Sequence, residues 1–263
     1  MYEDRIVAFI DLLGFKNAVY ASITKPDVFN DISTVIKLNE QLQKDNYGTT
    51  YMNEAQDGVE IMFFSDSFVI SIPTKDYKGP LFSLLMHLVW QSLDILGYNF
   101  LVRGGVTIGP LYHNGNICFG PAMNRAYELE SKEACYPRII IDKIVLDRIN
   151  TLKSNNTSEE EREYVNSLIK IDFNDNKIFL DYLSQSSEFY ANEYEYYDLL
   201  LKVKRLVERN LNCCNSSLIN TDCEYKITEI KKVLYKYQWY KEYYNDTIKK
   251  VLCQEQQDEY LIK

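Results

Sequence analysis

Histidine and cysteine are scarce and scattered in this chain of 263 residues, which limits the metal and nucleophilic chemistry it could carry. The two histidines, His87 and His113, stand alone, so neither a zinc site nor a histidine-based catalytic triad is predicted. The six cysteines form no CxxC pair and no spacing typical of metal ligands, and we interpret them as reduced thiols. A functional site must therefore be built from other residue types.

Long apolar runs and an excess of basic residues are also missing. No run approaches the roughly 20 apolar residues that a membrane span requires, and no signal peptide precedes Ile6. The 29 basic side chains are outnumbered by 38 acidic ones, giving a formal net charge of −9. A broad electrostatic surface for nucleic acid or an anionic membrane is thus not expected, and neither partner is predicted. The reduced thiols and the lack of a signal peptide or membrane span predict a cytoplasmic protein. A small anionic ligand would need a local cation or a metal ion.

Glycine and proline are few, ten and six, and 46% of the residues are hydrophobic, which excludes low-complexity disorder. The strand and helix patterns run in the order β, two helices, a β-hairpin, a helix, two strands, a helix over 121–134, and a strand. This order favours an α+β fold over a doubly wound α/β sheet, and it resembles a split βαβ arrangement. We predict a main domain over 1–150, a continuation with a β-hairpin over 151–187, and a helical appendage over 188–263.

Tyrosine is abundant, with 22 residues, many of them in the last third of the chain. Two long helical patterns, 188–213 and 224–252, carry tyrosines together with Trp239. Such aromatic side chains can stack on nucleobases, but the net acidity of the chain argues against that use. We interpret the tyrosines as a helix–helix or subunit interface, in which the rings pack and the hydroxyls stay hydrated.

Two acidic residues end strand-like segments. Asp11 follows the apolar run Ile6–Ile10 and precedes Gly14, and Asp66 lies at the tip of the hairpin pattern "VEIMFFSDSFVISI". On adjacent strands the two carboxylates would repel each other and raise one pKa, whereas a divalent cation would remove the conflict. The alternative is that each aspartate caps a turn or a helix. We predict a metal site at these two residues.

The stretch "FIDLLGF" resembles the first metal-binding motif of the class III nucleotidyl cyclases, and "FFSDSFVIS" resembles their hairpin with the second metal-binding aspartate. "RGGVTIG" followed by "FGPAMNRAYELES" is similar to their Arg-x-Gly strand and the helix after it. The resemblance covers roughly residues 5–141. Within this family, the sequence most resembles the pyrimidine cyclases of bacterial anti-phage defence, the Pycsar group. It implies a cyclase or ferredoxin-like antiparallel sheet with helices on one side, and a catalytic domain within 1–150.

The resemblance also implies the roles of individual residues. Two Mg²⁺ or Mn²⁺ ions would be held by Asp11, Asp66 and the carbonyl of Leu12. The substrate phosphates would be bound by the residues that follow: Gly14, Phe15 and Lys16. A backbone N–H group at the start of a helix can receive a phosphate oxygen without help from a side chain.

The chain departs from the family at three positions. Met62 stands where the family has its purine-reading lysine, and Ile117 stands where it has the acidic or cysteine partner of that lysine. Glu128 replaces the transition-state arginine, although the helix asparagine is kept as Asn124. Since charge on the transferred phosphorus needs a cation, another basic residue must supply it. The candidates are Arg103, Arg125, Arg138 and Lys16, and the alternative for each of them is a surface salt bridge.

Without polar base readers at positions 62 and 117, the expected base is a pyrimidine. The sequence thus predicts a lyase that converts UTP, or as second choice CTP, to its 3′,5′-cyclic monophosphate and pyrophosphate. The resemblance implies a homodimer with sites at its interface, and a product read by a downstream receptor protein in anti-phage defence. The alternative is a catalytically inactive cyclase-like protein that senses nucleotide.

Overall fold

The computed structural model describes residues 1–44, 58–75, 79–151, 159–185, 190 and 192–263. The chain forms two compact units. The first comprises residues 1–134 and 138–181, and the second comprises residues 135–137 and 182–263. Among the described residues, no helix combines the length and the apolar character needed to cross a membrane.

The first unit is a mixture of strands and helices. Its elements in chain order are β1 Glu3–Leu13, α1 Phe15–Ser22, α2 Pro26–Lys44, β2 Glu60–Phe64, β3 Ser67–Pro73, α3 Pro80–Gly97, β4 Leu101–Asn114, β5 Ile117–Phe119, α4 Pro121–Glu128, a π-helical turn Leu129–Glu133, β6 Ile139–Ile141, α5 Lys143–Thr151, α6 Glu159–Ser167, β7 Ile169–Ile171 and β8 Ile178–Leu180.

The described strands form one sheet in the order β2-β3-β1-β4-β6-β8-β7, with β5 paired to β4 outside this path. Strands β4 and β6 run parallel, and the other described pairs are antiparallel. The α+β prediction, with a mainly antiparallel sheet, is therefore confirmed. The predicted hairpin over 151–187 corresponds to β7 and β8, which extend the same sheet.

Strand β1 lies inside the sheet because it pairs with β3 on one side and β4 on the other. Its residues Ile6, Val7, Ala8 and Ile10 are completely buried. An unbroken apolar run is what a strand covered on both faces requires. The charge of Asp11 at the end of this run therefore lies at the rim of the core.

The predicted helix over 121–134 is interrupted. Helix α4 ends at Glu128 and the chain continues as the π-helical turn, which lies close to β4. A Cβ atom added at Gly105 would lie 2.3 Å from Leu129 Cβ and 2.9 Å from the Ala126 carbonyl oxygen. Glycine at this position of β4 thus lets the turn approach the backbone of the sheet.

The second unit contains a short 3₁₀ turn, Leu183–Gln185, and three helices in the described residues: α7 Glu193–Ile219, α8 Glu224–Val251 and α9 Gln254–Tyr260. Asn192 caps α7, because its side-chain oxygen accepts the Glu195 N–H at 3.0 Å. Such a cap satisfies one of the unpaired amides at a helix start.

Tyrosines fill the interior of this second unit. Tyr240 and Tyr244 are completely buried. The Tyr244 hydroxyl donates to the Leu200 carbonyl at 3.0 Å, and the hydroxyls of Tyr182 and Tyr240 are 3.0 Å apart. Of the two uses predicted for the tyrosines, packing between helices is the one that the structure shows for these residues. The prediction that the hydroxyls stay hydrated is wrong for them, because the hydroxyls are buried and bonded within the unit.

Candidate active site

Asp11 lies between two polar side chains on the neighbouring strands. In the sheet register it stands opposite Ser67 of β3 and opposite Arg103 of β4. Directly opposed residues of antiparallel strands project from the same face of the sheet. Ser67 Oγ donates to Asp11 Oδ1 at 3.4 Å, and Arg103 Nη2 lies 3.9 Å from Asp11 Oδ2. The end of β1 thus carries a carboxylate next to a guanidinium group.

Asp66 is brought to the same place by the β2–β3 hairpin. Ser65, with φ of 57°, and Asp66 form the turn between Phe64 and Ser67, which pair across the hairpin. The Asp66 carbonyl accepts the Leu12 N–H at 2.8 Å, so the turn is fastened to the strand that carries Asp11. The two acids predicted from sequence are therefore neighbours in the structure.

The pKa of Asp11 is raised from 3.8 to about 6. Burial is the main cause, and the negative charges of Glu130 and Asp66 add to it, while Arg103 and the Ser67 hydroxyl act in the opposite direction. Each additional anion nearby disfavours ionisation, whereas a cation favours it. The ionised pair thus gains stability from a positive charge bound at this rim.

Glu130 is a site residue that sequence reasoning missed. It lies in the π-helical turn, with 4% of its surface exposed, and its Oε1 accepts Arg103 Nε at 2.7 Å and also contacts Arg103 Nη2. The prediction of one continuous helix over 121–134 gave no reason to place this residue beside β4. The glycines after Arg103 are the signal that could have indicated a close approach to the strand.

The two aspartates are suited to a divalent cation that other ligands complete. In the described residues, no three His, Cys, Asp or Glu side chains are arranged to hold a metal ion. Mg²⁺ is usually held in proteins by one or two carboxylates, several waters and the phosphates of the substrate. Asp11 and Asp66 fit this pattern, with the Leu12 backbone beside them.

The predicted phosphate-binding segment directly follows β1. Gly14 has φ of 82°, in the left-handed region that favours glycine, and α1 begins at the next residue. Phe15 is buried and its ring lies 6.0 Å from that of Phe100, which anchors the start of the helix. Lys16 is exposed. The first amides of a helix are unpaired donors, so this segment can meet an anion near Asp11.

The candidate cations differ in where their charges lie. Arg138 is completely buried and ion-paired with Asp172 and Asp175 in the first unit, so it cannot serve as the missing transition-state cation. Arg103 lies beside Asp11, and Lys16 is exposed at the start of α1.

Arg125 is held in an ion-pair network on α4. Its Nε donates to Asp142 at 2.8 Å and its Nη1 donates to Glu133 at 2.6 Å. Asp142 also accepts the Thr107 hydroxyl at 3.1 Å, and Glu133 accepts Lys177 Nζ at 2.6 Å. These bonds tie α4 and the π-helical turn to the rest of the first unit.

The two residues predicted for base selection lie at different distances from the acid pair. Met62 pairs with Val69 of β3, which pairs with Phe9 of β1, two residues before Asp11. Met62 packs against an apolar cluster together with residues that the sequence did not single out: Phe9, Cys118 and Met123. Ile117 is 59% exposed, and it pairs with Asn114 at the opposite end of β4 from Arg103. Asn124 is exposed on α4. A single copy thus does not unite Ile117 with the acid pair.

No protein family model and no curated protein sequence matches the chain. Among solved structures, it is similar to the monomeric guanylyl cyclase domain of the RhoGC fusion protein from the aquatic fungus Blastocladiella emersonii, with 17% identity and a TM-score of 0.39 over 68% of this chain and 95% of that one. It is also similar to the catalytic core of a rhodopsin-guanylyl cyclase with converted specificity in complex with ATPαS, with 17% identity and a TM-score of 0.36 over 56% of this chain and 81% of that one.

Proposed function

We propose that the protein is a nucleotidyl cyclase that converts a pyrimidine nucleoside triphosphate, UTP in preference to CTP, to the 3′,5′-cyclic monophosphate and pyrophosphate. The observation that carries the proposal is the placement of Asp11 and Asp66 on adjacent strand ends. They lie beside Arg103 and close to the start of α1. Paired acids next to donors for an anion suit a triphosphate bound with metal ions.

The reaction is an intramolecular phosphoryl transfer. The ribose 3′-oxygen forms a bond to the α-phosphorus while its proton passes to solvent water. The bond between the α-phosphorus and the α–β bridging oxygen breaks, and that oxygen leaves with pyrophosphate. Two Mg²⁺ or Mn²⁺ ions bound by Asp11, Asp66 and the Leu12 carbonyl would lower the pKa of the 3′-hydroxyl and offset charge on pyrophosphate. The chain's own donors, Arg103, Lys16 and the amides at Gly14 and Phe15, bind and orient the phosphates.

We propose a homodimer with sites at its interface, because Asp11 pairs with Arg103 near one end of β4 and Ile117 pairs with Asn114 at the other end. A nucleotide whose phosphates lie at Asp11 would then place its base against a second copy. Exposed apolar side chains on the first unit support such an association: Phe64 at 77%, Ile117 at 59%, Tyr127 at 52% and Phe119 at 50% exposure. Ile117 and Phe119 both lie on β5, and neighbouring exposed apolar residues of this kind are typical of protein–protein contacts.

Mixing two inactive variants tests the shared site. Asp11→Ala removes the metal side of each site and Asn124→Ala removes a residue from the other side. If the sites are shared, mixed dimers contain one intact site, and random exchange restores about a quarter of wild-type activity. Sedimentation velocity gives the mass of the active species. An active monomer, or no recovery in a mixture shown to contain mixed dimers, would contradict the shared site.

The choice of a pyrimidine rests on Met62 and Ile117, which offer no hydrogen bond to a base edge. A site that reads a purine with polar groups rejects analogues strongly, because those groups would be left unpaired. Here selection rests on shape and on neighbouring groups, including Asn124. Preference for UTP over CTP, the role in anti-phage defence and the downstream receptor come from the resemblance to the Pycsar group.

The direct test is incubation with each nucleoside triphosphate and Mn²⁺, followed by mass analysis of the products. We expect cyclic UMP first, and no product with EDTA, Asp11→Ala or Asp66→Ala, while circular dichroism shows that both variants remain folded. Met62→Lys should move the relative rates towards purines. Wild-type turnover in either aspartate variant refutes the metal mechanism, and faster cyclisation of ATP refutes the pyrimidine assignment alone.

A second function, an inactive nucleotide sensor, is favoured by one observation. Glu128 occupies the position of the expected transition-state arginine, and it pairs with Lys132 on the protein surface at 3.2 Å. A sensor would bind a nucleoside triphosphate without forming cyclic product. Calorimetric binding of unchanged UTP, with no cyclic product under any metal condition, would establish this alternative.

A further inference from the structure

Arg103 lies between two acids and bonds to only one of them closely. Glu130 Oε1 accepts Arg103 Nε at 2.7 Å and also contacts Nη2, whereas Asp11 Oδ2 lies 3.9 Å from Nη2. Yet Asp11 and Arg103 are directly opposed in the β1–β4 register, where side chains start about 5 Å apart at Cβ. Two opposite charges in that position would ordinarily form a close cross-strand ion pair. Glu130 is therefore the stronger competitor for the guanidinium.

The backbone is arranged to admit Glu130 at this point. The π-helical turn that carries it lies against Gly105, where an added Cβ would be 3.2 Å from the Glu130 backbone nitrogen. π-Helical turns often occur at functional sites. Glu130 is 4% exposed, so its charge is held inside the protein with Arg103 as the partner. Burial of a charge is tolerated when it is paired in this way.

We propose that Glu130 is a positioning residue that keeps Arg103 from closing on Asp11, so that the Asp11 carboxylate remains available to a divalent cation. An arginine has five N–H donors and can take both oxygens of a carboxylate in a fork. Glu130 occupies the Nε edge of the guanidinium. Within the described residues, the hydrogen bonds of Arg103 run to Glu130, which leaves its other donors for substrate phosphates.

This inference rests on the proposed function for the identity of the cation, and it makes a separate claim about Glu130. If Glu130 holds Arg103 back, removing Glu130 lets Arg103 pair with Asp11 and compete with the metal. If Arg103 is removed as well, the competitor is gone and Glu130 becomes unimportant. A role of Glu130 as a metal ligand, or as a distant charge, would remain after Arg103 is removed.

The test measures Mn²⁺ binding to the full chain without nucleotide, from the electron paramagnetic resonance signal of free Mn²⁺. Glu130→Gln should weaken binding roughly tenfold or more, the scale of a competing charge-assisted hydrogen-bond pair. Arg103→Met alone should change the affinity by less than about threefold, and the double variant should bind as Arg103→Met does. Glu133→Gln is the matched control. Glu133 lies in the same π-helical turn as Glu130, but its carboxylate pairs with Arg125 and Lys177 and not with Arg103.

Other results would overturn the proposal. If the two single changes are additive, with Arg103→Met tightening Mn²⁺ binding as much as Glu130→Gln weakens it, Glu130 acts only through its charge. If Glu130→Gln fails to fold, the double variant decides, because it leaves neither Arg103 nor Glu130 buried without its partner. A double variant that binds about tenfold more weakly than the wild type refutes the positioning role. Absence of Mn²⁺ binding by the wild type counts instead against the proposed metal site.

Discussion

Replacing Asp11 by asparagine should stabilise the folded protein at neutral pH in metal-free buffer, although it removes a residue on which the proposed chemistry depends. The pKa of Asp11 is raised from 3.8 to about 6, chiefly by burial and then by the charges of Glu130 and Asp66. Its side chain is 23% exposed. Asparagine has nearly the same shape and carries no charge, so it avoids the cost of ionising an acid at this position.

The expected gain in the free energy of unfolding follows from the change in the pKa of Asp11. A difference of about 2 in pKa corresponds to about 3 kcal/mol at ~1.4 kcal/mol for each pKa unit. Partial exposure of the side chain reduces this figure, and we expect about 2 kcal/mol. Between pH 3.8 and about 6 the folded state binds more protons at Asp11 than the unfolded state does. The free energy of unfolding of the wild type therefore falls as pH rises through this window, and the asparagine variant lacks this loss.

Thermal unfolding in EDTA, measured from pH 4 to pH 8, checks this expectation. The two proteins should unfold at similar temperatures near pH 4, and the variant should gain roughly 4–8 °C above pH 6. The control is Asp4→Asn on the same strand, where the carboxylate is 41% exposed and its partner Arg148 is 43% exposed. A surface pair of this kind contributes little to stability.

Adding Mn²⁺ should raise the unfolding temperature of the wild type and leave that of Asp11→Asn nearly unchanged, since a ligand stabilises only the state that binds it. A variant that is less stable than the wild type at pH 7, or a difference in stability that does not change with pH, would refute the reasoning.

Three further changes test a buried ion pair, a buried hydrogen bond and the role of the C-terminal helices in self-association. Arg138→Met removes a buried cation from its two aspartate partners and should lower the free energy of unfolding by about 3–5 kcal/mol in urea titrations; a loss under about 1 kcal/mol would contradict the buried pair. Tyr244→Phe removes a buried hydrogen bond to a carbonyl and should cost about 1 kcal/mol by the same measurement, with a neutral result contradicting that bond. Deletion of 188–263 should weaken self-association or solubility in sedimentation runs, and unchanged association would exclude these helices as a contact surface.

The first elements of the site could be predicted from sequence because their signals are local. A continuous apolar run indicates a strand covered on both faces, and β1 is completely buried at Ile6, Val7, Ala8 and Ile10. The short polar turn between two β-rich runs indicates a hairpin, which is β2 and β3 in the structure. Because strand ends lie at the rim of a sheet, the proximity of the acids at the two strand ends followed from the same patterns.

The second unit shows that local sequence patterns do not predict which helix faces pack together. Helical periodicity marked both long helices, but it left open whether their tyrosines pack within one chain or between subunits. The structure buries Tyr240 and Tyr244 between helices, because α7 and α8 lie side by side. Which faces of two helices meet depends on the turn between them and on the rest of the unit, and a single helical pattern does not contain that information.

The amino-acid sequence by itself thus determined the strand ends, the acids on them, the α+β order and the apolar residues at positions 62 and 117. Only the tertiary structure decided which charged side chains pair with each other. It buried Arg138 with its aspartates, placed Glu130 next to Arg103, and left Arg103 Nη2 3.9 Å from Asp11 Oδ2. Strand and hairpin signals come from neighbouring residues, whereas an ion pair joins side chains 27 positions apart whose meeting requires the sheet, the glycines of β4 and the π-helical turn together.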